Sequence, residues 1–315
     1  MTTVEEVARS VVAALHTDAG YLLASRWVSE RYRQLCSRSR FRHLRRVGVL
    51  AVPANVTAGT VTVARGSRVV TGDATARAAW SNALVGRFVR ASVTWYEVDE
   101  ITASGDLHLV VEYAESDVTA GTYVVVARRL SLDPSVRWLG DAMVQPRRRW
   151  VLGHTSLTEM DTAFPARDLV DGGPRLWAEV GVAADQSKVI EVYPYTATSE
   201  VVQYTYWPTP PDLGLRDPLP TVIDGYALKE GALIDLLRFE MARAAQRGDH
   251  ETAALLRNDY RAQSTVWERV ILEAIRADRG TDDVTFLLNA TGMTQGVGPG
   301  DITTAYDQVL SRWPR

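Results

Sequence analysis

The sequence predicts an α+β protein: a helical bundle assembled from both chain ends, with an antiparallel β-sandwich or barrel-like domain inserted between its halves. Three observations predict it. Apolar residues recur at helical spacing over 4–37 and again over 221–276. Between them, from 47 to 207, Val- and Thr-rich segments alternate with period two. Turn residues break up that middle region at the spacing of a sandwich or barrel. The resulting division is 1–46 with 208–280 for the helical domain, 47–207 for the β insertion, and 281–315 for a C-terminal extension with a short helix.

The first helix is expected over 4–16, where Val4, Val7, Val11, Val12 and Leu15 share a face. Thr2 or Thr3 can cap it, and Glu5 and Glu6 suit the positive end of its dipole. A second helix over 19–37 places Tyr21, Val28, Tyr32 and Leu35 on one side, with Arg31 and Arg33 outside. "GTVTVARGSRVVTG" then reads as two strands joined by a tight turn at Arg65-Gly66-Ser67, where glycine accepts positive φ. Further strands are expected at "RASVTWYEVDEI", "DLHLVVEY", "TYVVVARRLSL", "RRRWVLG", "RLWAEVGV", "KVIEVYP" and "EVVQYTYW". A short helix over 155–163 interrupts them, with a capping Thr or Ser and Glu159 downstream. Two long helices follow, over 221–246 and 250–276, joined at Gly248-Asp249 into an antiparallel hairpin. Thr221 is the expected cap of the first, with Asp224 in its first turn. After a Gly-rich link, a last helix carries Ile302, Tyr306, Val309 and Trp313.

Composition narrows the function classes. The chain has 315 residues, 46% hydrophobic and 23% charged, with a net charge of −3. No global field therefore directs it to nucleic acid or to an anionic membrane. Lysine occurs only at Lys188 and Lys229, so arginine supplies nearly all the positive charge. That bias reflects either genome composition or a need for planar, bidentate contacts. With Cys36 alone, no intrachain disulfide forms, which suits a reducing compartment. No apolar run reaches the roughly 18–20 residues that span a bilayer, so no membrane partner is expected. The N-terminus is acidic and amphipathic, unlike a signal peptide, and the expectation is a cytoplasmic product without a targeting segment.

The search for reactive groups returns little. The five histidines, His16, His43, His108, His154 and His250, show no metal-ligand spacing. "GVGPGD" at 296–301 follows no strand and lacks the Lys-Ser/Thr of a phosphate loop. No G-x-S-x-G is present. Asp99 and Glu100 are adjacent on a strand and so point to opposite faces, which argues against an acid/base couple. No enzyme activity and no cofactor is expected.

Two arginine clusters stand out. Segment 31–46 holds Arg31, Arg33, Arg38, Arg40, Arg42, Arg45 and Arg46. They read either as a solvated face or as contacts to DNA phosphate or to another subunit. Phe41 and Leu44 interrupt the run and anchor its backbone to the fold. The second cluster, "QPRRRW" at 145–150, reads preferentially as a solvated face. Trp95, Tyr96, Tyr204, Tyr206 and Trp207 could stack on bases, but strand aromatics are more often core.

The stretch 208–220 contains Pro208, Pro210, Pro211, Pro218 and Pro220. Each removes a backbone donor and fixes φ, so the segment cannot be a central strand. It is expected to be a stiff hinge that sets the β-domain against the helices.

The order of motifs around this stretch resembles the head–tail connector (adaptor, or neck) proteins of tailed bacteriophages. A strand ending in Tyr204-x-Tyr206-Trp207 runs into "PPDL" at 210–213 and "DPLP" at 217–220. It then meets "LKEGA" at 228–232 and a second helix spanning Ala253 to Tyr260. The "GTVTVARGSRVVTGDAT" hairpin also resembles β-segments of the larger connectors, and the basic opening helix pair fits as well. The resemblance covers most of the chain in order and is densest at 204–262. It implies a virion structural protein at the neck of the portal vertex, assembled in the host cytoplasm. Copies would close into a ring, a dodecamer by the family pattern, through heterologous contacts. The ring would dock beneath the portal, bind tail or stopper proteins and surround the passing DNA. The C-terminal residues Ile302, Tyr306, Val309 and Trp313 would then reach the portal. The alternative reading is a DNA-binding module that uses the arginines of 31–46.

Overall fold

The computed structural model describes residues 2–14, 20–168, 172–221 and 223–279. These form a mixed α+β protein. In chain order its helices are α1 (Val4–Ala14), α2 (Tyr21–Ser37), α3 (Ala74–Ala79), α4 (Leu157–Ala163), α5 (Gly225–Gln246) and α6 (His250–Arg279). The strands before the β-domain midpoint are β1 (Arg46–Val52), β2 (Val61–Val63), β3 (Val69–Gly72), β4 (Phe88–Arg90), β5 (Tyr96–Ile101), β6 (Leu107–Leu109) and β7 (Val118–Gly121). Those after it are β8 (Val124–Val126), β9 (Arg129–Ser131), β10 (Val136–Gln145), β11 (Trp150–His154), β12 (Leu176–Val182), β13 (Lys188–Tyr193) and β14 (Glu200–Pro208). Two compact units result: the described residues of 1–46 and 207–279, and residues 47–206.

In the first unit, α1 opens with a reciprocal cap. Thr3 Oγ1 accepts from Glu6 N at 3.3 Å, and Thr3 N donates to Glu6 Oε2 at 3.0 Å. Val4, Val7, Ala8 and Val11 are buried, as their spacing requires. Helix α2 buries Ala24, Val28, Tyr32 and Leu35. Helix α5 packs against α1, α2 and α6, and so buries residues on several faces, among them Leu228, Ala232, Ile234, Leu236 and Leu237. That wide burial explains why its apolar pattern is less one-sided than a surface helix's.

Asp224 caps α5 by accepting from Tyr226 N at 2.9 Å. This corrects the expected cap at Thr221. Ile223 N donates to Pro220 O at 2.9 Å, so a tight turn delays the helix start. Asp249 caps α6 in the same way, with Thr252 N donating to its carboxylate at 3.0 Å. Each such cap stabilises by about 1 kcal/mol.

The second unit holds two seven-stranded sheets. One has the order β1-β14-β10-β11-β12-β13-β9 and the other β7-β2-β3-β6-β5-β4-β8. The first encloses Leu50, Val52, Leu139, Met143, Leu152, Trp177, Ile190, Val192, Val202 and Tyr204. The second encloses Val61, Val63, Val70, Trp80, Val98, Leu107, Leu109, Tyr123 and Val125. A third cluster joins Phe88, Val124 and Val126 to Met160, Ala178, Tyr193 and Tyr195, so residues from both sheets and α4 share it.

The β2–β3 hairpin pairs Val61 with Gly72 and Thr62 with Thr71, and Gly66 takes φ +80 at the turn. The segment 122–132, read from sequence as one strand, splits at Ala127-Arg128: β8 joins one sheet and β9 the other. The expectation of an all-antiparallel β-domain also needs correction. Strands β11 and β12 run parallel, with Gly153 opposite Leu176 and His154 opposite Trp177. Helix α4 lies between them in the chain, so the connection is a helical crossover, which parallel neighbours require. Ser156 and Glu159 form its capping box.

A buried ionic knot fixes the β8–β9 corner. Glu191, 2% exposed, accepts from Arg167 Nε at 2.8 Å, Arg128 Nε at 3.1 Å and Tyr195 OH at 3.2 Å. Arg167 also donates to the Met160 and Phe164 carbonyls and to Asp161. Burial followed by the Glu191 charge raises the Tyr195 pKa, so this phenol stays protonated and donates.

Candidate functional site

The arginines of 31–46 are the first group to place. Arg31 forms a bidentate pair with Asp235 of α5: Nε to Oδ2 and Nη2 to Oδ1, both 2.7 Å. Its side chain is 12% exposed and that of Asp235 19%. Its third nitrogen donates to Gln34 Oε1 at 3.0 Å, and the guanidinium lies 5.8 Å over the Trp267 ring. Arg38 forks onto Glu268 of α6 at 2.6 and 3.0 Å. Arg33 reaches Asp212 at 3.0 Å. Arg40 stacks over Trp207 at 5.4 Å. The Arg42 backbone N donates to the Asp278 carboxylate, and Arg46 donates to the carbonyls of His43 and Arg45. Arg45 is also engaged. The cluster therefore binds α2 and the segment after it to α5, α6 and the proline stretch.

At the core of that arrangement Gly231 is required sterically. A Cβ there would lie 2.9 Å from the Trp267 ring and 3.1 Å from Arg31 Cγ. Nearby, Tyr32 OH meets His43 Nε2 at 3.2 Å, with Cys36 Sγ 4.0 Å from the same nitrogen. Burial pushes the Cys36 thiol up to about 12 and lowers the His43 pKa against the pull of Asp278. The thiol therefore stays protonated at neutral pH, and this trio lacks the thiolate a nucleophile needs.

The proline stretch is clamped along its length. Pro208 ends β14, Pro210 is buried, and Pro218 bridges to Thr3. Val4 N donates to Asp217 O at 3.2 Å, Glu5 N to Leu215 O at 3.0 Å and Leu219 N to Thr2 O at 2.9 Å. Leu213 N donates to Ser29 Oγ at 2.9 Å. Pro211 and Pro220 sit within the same run, so the five prolines belong to a segment laid against α1 and α2. A groove of about 330 Å³ lies between α2 and this segment, lined by Arg26, Ser29, Glu30, Asp212 and Leu213 among others.

The second arginine cluster forms the tip of the β10–β11 hairpin. Gln145 pairs with Trp150 at its base, and Arg149 N donates to Gln145 O at 2.9 Å to close the turn. Arg149 takes φ 55, a left-handed conformation that non-glycine residues rarely adopt. Arg148 is held in place. It pairs with Glu200 at 3.2 Å and lies 5.1 Å from the Trp150 ring centroid, while Arg175 covers the same ring at 4.8 Å. Gly173 permits this packing, because a Cβ there would sit 2.8 Å from the Arg148 guanidinium carbon. Arg147 and Arg149 are exposed, and among the described residues no carboxylate pairs with either.

The other sequence candidates resolve as follows. Tyr96, Tyr204 and Trp207 are buried, and Trp95 packs on Tyr195 beneath Arg90. Among the described residues no group of three or more His, Cys, Asp or Glu could hold a metal ion, and no helix is long and apolar enough to cross a membrane. Ile302, Tyr306, Val309 and Trp313 lie outside the described residues. Compared with known proteins, the chain matches no protein-family model and no curated protein.

Proposed function

We propose that this chain is a virion structural protein, a head-to-tail adaptor whose copies close into a ring beneath the portal and extend the DNA channel toward the tail. In this reading the helices of the two chain ends act as one connector bundle, and the β-sheets are an insertion between its halves. The ring would be a dodecamer, docked on the portal above and on tail or stopper proteins below. It would be assembled in the host cytoplasm and retained at the neck of the virion.

One observation carries the proposal: the course of residues 204–262. The Tyr-x-Tyr-Trp strand passes into a proline-spaced segment, and that segment is clamped by at least four hydrogen bonds to α1, Thr2 and α2 before the chain enters the α5–α6 hairpin. The glycine of the "LKEGA" motif is where Trp267 of α6 and Arg31 of α2 press on α5. The motifs that resemble the connectors are thus the residues that set how these elements pack. A subunit that must match a neighbour on each side around an axis needs such fixed geometry.

The alternative, a DNA-binding module built on 31–46, is weakened because Arg31, Arg33 and Arg38 already spend their charge on Asp235, Asp212 and Glu268. The test is negative-stain imaging of the purified chain, alone and mixed with a portal protein of the same phage. Rings, or portal particles with an added layer, are expected. Dispersed subunits under both conditions would overturn the proposal.

A further inference from the structure

We propose that the tip of the β10–β11 hairpin is a phosphodiester-binding point, and that the guanidinium groups of Arg147 and Arg149 hold duplex DNA there. The inference rests on the β unit alone and holds whether or not the chain is an adaptor.

Three features of the tip argue for an external anion. Consecutive arginines 147 to 149 place like charges side by side, and only Arg148 is offset by a carboxylate, Glu200. The remaining two side chains point outward with their charge uncompensated. Second, Arg149 occupies a left-handed position, φ 55, where glycine or asparagine would cost less. Its backbone N–H closes the turn onto Gln145 O, which any residue but proline could do, so the turn itself does not call for arginine there. Third, the base of the tip is packed. Arg148 lies against the Trp150 ring, Glu200 and the bare backbone of Gly173, and Arg175 lies 4.8 Å from the centroid of the same ring. Arg148 is a positioning residue: it holds the turn backbone, so ordering on binding is confined to the Arg147 and Arg149 side chains.

The chemistry favours phosphate over an acidic protein surface. Protein interfaces gather their affinity from an apolar centre with aromatic anchors. Between Gln145 and Trp150 the only apolar side chain is that of Pro146. Protein–DNA contacts are polar and positively charged, and guanidinium forks match phosphate oxygens. With two arginines at a turn and no base-reading arrangement around them, the contact is to backbone and indifferent to sequence.

The experiment is fluorescence anisotropy of the full chain with a short random-sequence duplex across a salt series, beside a competition with poly-glutamate. For wild type, log K falls linearly with log salt. Arg147→Gln/Arg149→Gln reduces the steepness of that line by about 1.8, from about 0.9 for each lost phosphate contact. Arg147→Lys/Arg149→Lys keeps the wild-type slope, and Arg38→Gln leaves it unchanged. The thermal melting curve of the glutamine pair should overlay wild type, which separates lost binding from lost fold. An unchanged slope in the glutamine pair, or no duplex binding by wild type at low salt, would overturn the proposal. So would a glutamine pair that loses poly-glutamate binding while keeping DNA binding.

Discussion

Segments 31–46 and 145–150 are both runs of arginine, and the fold uses them in opposite ways. In the first, the charges face inward or along the surface onto carboxylates of α5, α6 and the proline stretch, with the Arg31–Asp235 pair nearly buried and the Arg33 and Arg38 pairs exposed. In the second, one arginine is locked at the base of a turn and its two neighbours are left uncompensated at the tip. The density of charge in a sequence therefore does not mark an interaction surface. Under the proposal above, the better guide is charge for which the fold supplies no carboxylate, as at Arg147 and Arg149.

Substitutions should separate the two regions in order of effect. Arg31→Met removes a nearly buried bidentate partner and strands Asp235, and denaturant unfolding should show a loss of about 2–3 kcal/mol. Little or no loss would mean the first cluster does not hold the helices together. Gly231→Ala forces a methyl group against Trp267 and Arg31, and should cost about 1–3 kcal/mol by the same measurement. Arg38→Gln breaks an exposed pair, with side chains 47% and 54% accessible, and should cost only about 0.2–1 kcal/mol. Arg149→Gly should have the reverse sign. It relieves left-handed strain that outweighs the added freedom of the unfolded glycine, so stability rises by about 0.5 kcal/mol while duplex binding weakens. A destabilised Arg149→Gly would show that the side chain serves the fold after all.

The smallest effect tests the electrostatics inside the first region. His43 is held neutral because burial lowers its pKa. An unfolded histidine takes up a proton near pH 6.5, and the folded one resists it. Stability should therefore fall as pH drops below about 6.5 and level off once the folded pKa is passed. In His43→Gln that part of the fall in Tm should be missing. An identical pH profile would remove His43 as its source.

Much of the local structure can be read from the sequence, and the long-range contacts cannot. Helices α1 and α2 begin and end within a few residues of the periodic pattern, because Val4, Val7 and Val11, then Val28, Tyr32 and Leu35, face a core. The β2–β3 turn follows from Gly66, and α4 from its Ser156–Glu159 box. Strand β10 has no counterpart among the strands expected from the sequence, and within it Thr205 packs 3.1 Å from where a Cβ on Gly140 would be. Helix α3 has only six residues, and its cap Asp73 is set by Thr60, thirteen positions away. Where 122–132 divides between two sheets, Arg128 meets Glu191, sixty-three residues away in sequence.

The same limit applies to the site. Nothing local to Arg31 announces Asp235, and nothing local to Arg147 announces that its neighbours leave it unpaired. In sequence the first cluster looked the more available of the two. The signal that favours the second is a Pro-Arg-Arg-Arg turn with no acidic residue beside it.

The central claim, that this chain tiles around an axis as an adaptor, is tested most directly by native mass spectrometry of the protein incubated with its portal. The account predicts a closed assembly, a dodecamer of the 34.8 kDa subunit, alone or carried on the portal ring. A single-subunit mass that persists at every concentration, with the portal ring unshifted, would contradict it.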